Sequence, residues 1–247
     1  MRDDIMELSA TIEKKLQHFD LNISLSCSEE ELLTIIGPSG SGKTTIMRMI
    51  AGLEKPDSGR IAFRGETWFD AARGINLPPQ KRRLGYVSQE YPLFPHLSLY
   101  DNAAFNAADK KMVGELFQLF GIGHLRDCKP QMVSGGERQR CTICQSLATQ
   151  PRVLLLDEPF SALDVMTRRK IREQLQELKK TLAIPMIYVT HDINEALLLA
   201  DTILPVVEGK LDKGWMQRMI AREPLPDGFP KIVKTTDTAL AYGNGNG

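Results

Sequence analysis

The sequence predicts an α/β fold in which helices cover both faces of a mostly parallel central sheet, giving three layers. Apolar runs typical of buried strands alternate along the chain with segments of helical periodicity. Two of these runs, ELLTIIG and RVLLLDEP, are continuously apolar at their centres, which is typical of parallel strands buried on both faces. The chain has 247 residues, of which 42% are hydrophobic and 25% are charged, so a large core can form. We therefore expect a single domain over residues 1–247.

The first part of the chain predicts a smaller sheet beside the central one. Leu21, Ile23, Leu25 and Cys27 alternate with polar residues, as in a half-buried strand, and RIAFRG predicts another strand. We assign this part to an antiparallel β-subdomain at the N-terminal side. The run ELLTIIG then leads through glycines into KTTIMRMIAGL, which predicts a buried strand followed by a helix.

The rest of the chain continues the alternation. LGYVSQ predicts a strand, but residues 97–147 contain no convincing one, so we expect an inserted helical lobe over about 90–150. The apolar residues of TRRKIREQLQELKKTL fall at helical spacing and predict an amphipathic helix. PMIYVTHD, INEALLLA and TILPVV then predict a strand, a helix and a strand. We expect a mobile tail over about 212–247, because its last residues have little to bury.

Charge and hydropathy exclude several classes of protein. The 31 basic and 31 acidic residues give a formal net charge of zero, which offers no basic surface to a nucleic acid. The N-terminus lacks the pattern of a signal peptide, and no window approaches the roughly 20 apolar residues of a membrane span. We expect a soluble, cytoplasmic protein that is able to dock onto a membrane protein.

The four cysteines are too few and too scattered for a disulfide framework. Cys141 and Cys144 form a C-x-x-C pair, a spacing that metal and redox sites also use. No second pair matches it, and the surrounding RQRCTICQSLA has a helical pattern. Two small apolar residues on one face of a helix are therefore the favoured interpretation.

Residues 37–44, GPSGSGKT, match the phosphate-binding pattern of glycine, four residues, glycine, lysine and a hydroxyl residue, and we call them the phosphate loop. Its glycines allow backbone conformations in which successive N–H groups point at phosphate oxygens, and the following helix adds its N-terminal donors. Lys43 would supply charge to the β- and γ-phosphates, and the Thr44 hydroxyl would bind magnesium. The alternative is a chance glycine turn, but the loop lies between a strand and a helix, as nucleotide binding requires. The predicted nucleotide-binding residues are Gly37, Pro38, Ser39, Gly40, Ser41, Gly42, Lys43, Thr44 and Thr45.

Two adjacent acids follow the apolar run of RVLLLDEP. Asp157 stands at the carboxyl end of a predicted buried strand, where open α/β sheets place ligands, and can hold magnesium directly or through water. Glu158 could polarise an attacking water. The alternative for either acid is a helix N-cap or a salt bridge, which explains two adjacent acids less easily.

The stretch MVSGGERQR, residues 132–140, places a serine and two glycines at the start of a predicted helix, and we call it the serine–glycine stretch. Ser134 is a predicted N-cap, and Gly135 and Gly136 would expose N–H groups at the same helix end. A loop and a cap explain the serine but not the glycine pair. A second phosphate-binding site explains all three.

These motifs together resemble those of the nucleotide-binding subunits of ABC transporters, which are P-loop NTPases. The chain has, in the order of that family, GPSGSGKTT, a glutamine at Gln89, VSGGERQR, LLLDEP, SALD at 161–164, and THD with His191. One such motif would be weak, but six in order are specific. A simple P-loop kinase has no use for VSGGERQR.

The resemblance implies an ATPase in which two copies of the chain pair head to tail. Each Mg-ATP would lie between the phosphate loop of one copy and the serine–glycine stretch of the other, with contacts from Ser134, Gly135, Gly136 and Glu137. That arrangement would explain why one chain carries two predicted phosphate sites.

The resemblance also implies roles for single residues. Glu158 would be the general base, and His191 would contact the γ-phosphate and the attacking water. Gln89 would contact magnesium and water and sense the membrane partner, and Asp164 would couple the two ATP sites. No strong aromatic platform for adenine precedes the phosphate loop, which leaves His18 and Phe19 as alternatives.

Residues 68–102 resemble the importer group that takes up molybdate and related oxyanions, most clearly in GINLPPQKRRLGYV. The implied partners are integral-membrane permease subunits, contacted near 89–105, and indirectly a solute-binding protein. The chain would then lie at the inner face of the cell membrane. Importers of this group often carry an additional C-terminal domain, which this chain is expected to lack. Importers of sulfate, polyamines, iron and thiamine share much of this sequence pattern, so these substrates remain alternatives to molybdate.

Two other classes of function are alternatives. A soluble ABC ATPase of DNA repair or translation would need a long coiled-coil insertion or a second cassette, and neither is present in the sequence. A regulatory protein that binds ATP without turnover would not need Glu158 and His191.

Overall fold

The computed structural model describes residues 7–88, 92–160, 165–220 and 230–232. Its strands are β1 (Leu8–Lys15), β2 (Asp20–Cys27), β3 (Leu32–Ile36), β4 (Ser58–Phe63), β5 (Glu66–Asp70), β6 (Ile75–Asn76), β7 (Leu84–Val87), β8 (Val153–Asp157), β9 (Met186–Thr190), β10 (Thr202–Val207), β11 (Lys210–Leu211) and β12 (Lys231–Ile232). Its α-helices are α1 (Lys43–Ala51), α2 (Pro79–Arg82), α3 (Leu99–Ala104), α4 (Lys110–Leu119), α5 (Gly135–Ala148), α6 (Val165–Leu182), α7 (Ile193–Leu199) and α8 (Lys213–Ile220). None of the helices in these described ranges combines the length and the apolar character needed to cross a membrane.

The strands form a central sheet and a smaller one. The central sheet has the order β11-β10-β3-β9-β8-β7, with β12 paired to β10. Its strands run parallel except β11, which is antiparallel to β10. The smaller sheet has the order β2-β1-β4-β5-β6 and is antiparallel throughout. The predicted α/β fold, with its mostly parallel sheet and antiparallel β-subdomain, is confirmed.

Alternate residues of the central strands face two different hydrophobic layers, because successive side chains of a strand point to opposite faces. Val153 and Leu155 of β8 pack with α1 and the smaller sheet. Leu154 and Leu156 pack with the helical lobe and α6. All four side chains are at most 1% exposed. This burial on both faces explains why the sequence of β8 is continuously apolar.

The helical lobe contains α3, α4 and α5, with no strand between residues 92 and 152, as predicted. Each helix begins at a side chain that accepts a backbone N–H, namely Ser98, Asp109 and Ser134. Cys141 and Cys144 are fully buried on α5, and burial raises the pKa of the Cys141 thiol to about 12. Because only a thiolate binds metal or attacks a disulfide, this environment supports the structural interpretation of the C-x-x-C pair.

Two described pieces of the chain beyond residue 212 are folded, in a region predicted to be a mobile tail. Residues 213–220 form α8, in which Met216 is fully buried in a cluster with Ile36 and Ile203. Residues 231–232 add β12 to the central sheet. This part of the chain therefore has apolar side chains to bury, and the expectation of a mobile tail does not apply to it.

A buried arginine joins the smaller sheet to the C-terminal end of α1. Arg82 is 0% exposed, and its guanidinium donates to the carbonyls of Met49 at 2.9 Å and Ile50 at 2.7 Å. It also donates to the carbonyl of Leu77 and lies over the ring of Trp68, 5.7 Å from its centroid. Burial lowers the pKa of Arg82 to about 10, so the group stays charged at neutral pH. A positive charge at this helix end supplies donors to its last carbonyls, of which Met49 also accepts the N–H of Gly52 at 3.1 Å.

Candidate functional site

The phosphate loop leaves the carboxyl end of β3 and leads into α1. Gly40 and Gly42 have φ angles of 79° and 98°, in the left-handed region that favours glycine. Gly37 was also predicted to need such a conformation, and that prediction is wrong, because its φ is not positive. Gly37 is required for space instead: a Cβ there would lie 1.9 Å from the Val206 carbonyl oxygen. The loop is thus packed closely against the end of β10.

Lys43 points back into the phosphate loop. Its ammonium donates to the carbonyls of Gly37 at 2.9 Å and Pro38 at 2.8 Å, and the residue is 5% exposed. Burial lowers the pKa of Lys43, while the nearby carboxylates of Glu158 and Asp157 oppose the shift. The charge is therefore held inside the loop, where an anion would be favoured.

The N-terminus of α1 is open. Among the described side chains none caps it, and its first turn contains no acidic residue. Within the same described part of the chain, the hydroxyl of Ser41, a residue only 4% exposed, has no hydrogen-bond partner. A helix N-terminus with free N–H groups and a positive dipole end is suited to a phosphate.

Asp157 and Thr44 form an oxygen-rich pair beside the loop. The Thr44 hydroxyl donates to Oδ1 of Asp157 at 3.2 Å, and the Tyr86 hydroxyl donates to Oδ2 at 3.1 Å. Asp157 is 3% exposed, and burial raises the pKa of its carboxyl group, against the effect of the two hydrogen bonds. A carboxylate and a hydroxyl oxygen are the ligands that magnesium prefers, so these residues fit the predicted metal. Tyr86 was not predicted from the sequence.

Glu158 and His191 come together, as the resemblance implied. Oε1 of Glu158 lies 3.2 Å from Nδ1 of His191, and the two side chains are 19% and 57% exposed. Glu158 has a φ of 48°, which is uncommon for a residue with a side chain. Its N–H donates to the Val189 carbonyl at 3.0 Å, which stabilises this conformation. Strained backbone of this kind is often found at functional sites.

These residues meet because three adjacent parallel strands end at the same edge of the sheet. The phosphate loop follows β3, and His191 follows β9. Asp157 is the last residue of β8, and Glu158 comes directly after it. Since β9 lies between β3 and β8, the three segments are neighbours in space although they are far apart in sequence. Open α/β sheets bind ligands at this edge.

The serine–glycine stretch begins α5, and the predicted N-cap at Ser134 is confirmed. Ser134 Oγ accepts the N–H of Glu137 at 3.3 Å, and the Ser134 N–H and O–H both donate to Oε2 of Glu137 at 2.8 Å. These hydrogen bonds lower the pKa of the Glu137 carboxyl group. Gly135 and Gly136 occupy the first two helical positions with φ angles that are not positive. Glycine is therefore not needed there for the backbone conformation.

The serine–glycine stretch is not joined to the phosphate loop within one chain. Among the described residues, no hydrogen bond or ion pair links 134–137 to 37–45. Its role as a second phosphate site stays a prediction. Gln89 and Asp164 lie outside the described residues.

Phe19 lies against the phosphate loop, whereas His18 is exposed. A Cβ on Gly42 would be 3.5 Å from the Phe19 ring, and one on Gly209 would be 2.8 Å from it. Gly209, in the turn between β10 and β11, donates its N–H to the Ser41 carbonyl at 3.0 Å. A cleft of about 350 Å³ beside Phe19 continues along this turn. This contact between the phosphate loop and the β10–β11 turn could not be predicted from the sequence, because the turn lies far along the chain.

A sequence model of the family described as ABC transporter matches residues 21–161. The chain belongs to the ABC transporter family. The match begins in β2 and includes the phosphate loop, the serine–glycine stretch, Asp157 and Glu158. The predictions of a P-loop fold and of an ABC-type ATPase are therefore confirmed.

Several curated relatives are import ATP-binding proteins. The molybdate/tungstate import ATP-binding protein WtpC of Archaeoglobus fulgidus is 38% identical over 223 residues, which cover 87% of this chain and 90% of the relative. The sulfate/thiosulfate import ATP-binding protein CysA 2 of Agrobacterium fabrum is 44% identical over 82% of this chain. The molybdenum import ATP-binding protein ModC of Rhodospirillum rubrum is 42% identical over 78% of it. The chain spans only 61% and 54% of the length of these last two. The predicted resemblance to molybdate and related oxyanion importers is confirmed.

Solved structures agree with the fold. The chain superposes on cbiO1 of Clostridium perfringens, part of the ABC transporter complex cbiONQ, with a TM-score of 0.73 and 28% identity over 88% of this chain and 93% of the other. It also superposes on the dimeric, post-hydrolysis ATP-binding cassette MJ0796 bound to ADP and Pi, with a TM-score of 0.72 and 27% identity over 83% and 97% of the two chains.

Proposed function

We propose that this chain hydrolyses ATP to drive import of molybdate or a related oxyanion through a membrane permease. The names of the archaeal and bacterial relatives support an oxyanion as the substrate, and a relative of which this chain covers 90% is a molybdate/tungstate import protein. The sulfate/thiosulfate relatives make sulfate the second candidate. The oxyanion itself would contact the permease and a solute-binding protein rather than this chain, which would act with the solute-binding protein only indirectly, through the permease.

Lys43 and the open N-terminus of α1 bind the phosphates in this proposal, and Thr44 and Asp157 hold magnesium. The metal, when bound, neutralises phosphate charge. Glu158 accepts the proton of the attacking water. His191 faces Glu158 and binds the γ-phosphate and that water. Phosphoryl transfer needs mainly positioning and charge stabilisation, which such an arrangement supplies. The observation that carries the proposal is the 3.2 Å approach of Glu158 to His191 beside the Thr44–Asp157 pair.

The working unit in this proposal is a head-to-tail dimer. Ser134, Gly135, Gly136 and Glu137 of one copy then contact the ATP held by the phosphate loop of the other. The dimeric state of the MJ0796 cassette supports this arrangement. The roles of Gln89 at the metal and of Asp164 between the two sites are proposed from the resemblance alone.

The proposed permease contact lies in the helical lobe near 89–105, on the inner face of the membrane. Two aromatic side chains there support it, because Phe94 and Phe105 are 38% and 59% exposed and their tilted rings are in contact, with centroids 4.9 Å apart. Exposed aromatic pairs are enriched at protein interfaces.

The test of the catalytic assignment is Glu158→Gln. We expect ATP binding to persist and kcat for phosphate release to fall about 10²- to 10⁴-fold, as for loss of a general base. Glu115→Gln, the same change on the exposed face of α4, is the matched control. Turnover of Glu158→Gln at the unmodified rate would contradict the assignment. Lys43→Ala should lose ATP binding itself, measured by isothermal titration.

The substrate is tested separately. The permease that co-purifies with the chain would be reconstituted in liposomes with its binding protein. Stimulation of ATP hydrolysis by molybdate but not by sulfate supports the proposal, and the reverse favours the sulfate alternative.

A further inference from the structure

A buried carboxylate lies directly behind His191 and takes no part in the steps above. Glu195 on α7 is 4% exposed. Its Oε2 accepts the Tyr188 O–H at 2.6 Å and the Thr190 O–H at 2.9 Å. Its Oε1 accepts Nη2 of Arg172 at 2.8 Å. A buried charge is costly unless it is paired and hydrogen-bonded, so these four side chains hold one another in place.

This network fixes the backbone on both sides of His191. Thr190, 3% exposed, donates its O–H to Glu195 and accepts the Asp192 N–H on the same oxygen at 3.0 Å. Asp192 in turn caps α7 by accepting the N–H of Glu195 at 3.2 Å. His191 stands between these two anchored residues. Because its own side chain is 57% exposed, packing alone does little to orient it toward Glu158.

We propose that Glu195 is a positioning residue for ATP hydrolysis. Through the hydroxyl of Thr190 and the N–H of Asp192, it holds His191 in the orientation that faces Glu158. Arg172 neutralises the buried carboxylate and connects the loop to α6. This inference rests on the proposed roles of Glu158 and His191.

Thr190→Val tests the connection, because it removes the hydroxyl with little change in volume. The Asp192 N–H then loses its acceptor and Glu195 loses a donor. We expect kcat for ATP hydrolysis to fall roughly ten- to a hundredfold, since a misplacement of about 1 Å in a catalytic group costs that much. KM for ATP should stay within about twofold, because most of the proposed phosphate contacts come from the phosphate loop and the N-terminus of α1, which Thr190 does not touch. Thr190→Ser, which keeps the hydroxyl, should restore most of kcat.

A double-mutant cycle separates positioning from general destabilisation. In a His191→Ala background, Thr190→Val should lower kcat no further, because it acts only through that histidine. An equal additional loss in that background would overturn the proposal. Hydrogen–deuterium exchange gives a second readout: the Asp192 N–H should exchange faster in Thr190→Val than in Thr190→Ser. Unchanged protection would overturn it too.

Two comparisons make the outcome specific. Thr181→Val removes a hydroxyl on α6 that donates only to the Glu177 carbonyl, and it should leave kcat unchanged. If His191→Ala leaves kcat unchanged, the role proposed for His191 in ATP hydrolysis is wrong. If His191→Ala lowers kcat and Thr190→Val does not, the positioning role alone fails.

Discussion

Asp157→Asn should stabilise the free chain and at the same time remove its response to magnesium. Asp157 is 3% exposed and accepts hydrogen bonds from Thr44 and Tyr86. Burial raises the pKa of its carboxyl group, which means that the folded chain disfavours the ionised form. Asparagine has the same size and no charge, so it relieves this cost while it weakens a metal ligand.

The magnitude follows from two opposing terms. Each hydrogen bond to a charged acceptor is worth about 1 kcal/mol more than one to a neutral acceptor, so the substitution loses about 2 kcal/mol. Removal of a buried ion regains several kcal/mol. The nearby charge of Lys43 offsets part of that gain. A net stabilisation of about 1 kcal/mol remains, which for a chain of this size raises Tm by about 2–4 °C.

The stabilisation should depend on pH in a defined direction. Because the pKa of Asp157 is higher in the folded than in the unfolded chain, ionised Asp157 opposes folding at neutral pH. This penalty disappears as the pH falls through the folded-state pKa. The difference in Tm between Asp157→Asn and the unmodified chain should therefore be largest near pH 7 and shrink on acidification.

Thermal melts without nucleotide measure this difference, and melts with ATP plus either magnesium or EDTA measure the metal response. In the unmodified chain, ATP with magnesium should raise Tm more than ATP with EDTA does. In Asp157→Asn the two conditions should give the same Tm. A variant that is less stable than the unmodified chain at pH 7, or that responds equally to magnesium, would refute the reasoning.

Two further substitutions test the helix ends. Ser134→Ala should lower the free energy of unfolding by about 1 kcal/mol, as loss of an N-cap does. We also expect Glu158→Gln to accumulate an ATP-bound dimer, because it binds ATP but hydrolyses it slowly, and Ser134→Ala in that background should abolish the dimer. Ser98→Ala removes the matching cap of α3 at the same cost and should leave that dimer intact by size-exclusion chromatography; if both variants dimerise alike, Ser134 does not contact ATP. Arg82→Met should lower the free energy of unfolding by about 3 kcal/mol in urea denaturation, because it leaves the Ile50 carbonyl without its guanidinium donor and removes one of the two donors to the Met49 carbonyl. A loss below about 1 kcal/mol would show that other groups satisfy them.

The position of the site at one edge of the central sheet could be predicted, because it depends on short sequence patterns: apolar runs that form strands and motifs that directly follow them. The run before Asp157 is apolar on both faces of β8, and the phosphate loop follows an equally apolar β3. Parallel strands end at one edge, so motifs at their carboxyl ends converge without any knowledge of the strand order. The strand order then determined that His191 approaches Glu158.

The residues that the sequence did not predict act over long sequence separations. Tyr86 reaches Asp157 only because β7 pairs with β8, and Arg82 reaches α1 only because the smaller sheet lies beside it. The requirement for Gly37 depends on Val206, which is far along the chain. β1 was missed although its apolar residues Leu8, Ala10 and Ile12 alternate with more exposed ones, and α8 was missed because a short helix buries few side chains. The sequence pattern around a residue contains no information about partners that are far away in the sequence.

The two helix ends proposed to bind ATP are in different states in the free chain. α1 begins without a side-chain cap among the described residues, whereas the N–H and O–H of Ser134 at the start of α5 already donate to Glu137. An incoming triphosphate would meet open donors on α1, but on α5 it would have to displace a carboxylate to reach the N–H and O–H of Ser134. That exchange replaces one anion by another at the same helix end, so it yields less free energy than binding to open donors. In the proposed dimer the phosphate loop is then the tight first contact and the serine–glycine stretch of the partner the weaker one. A dimer that closes on ATP and reopens after hydrolysis is consistent with this order, because the weaker of the two contacts is the one that is lost when the dimer opens.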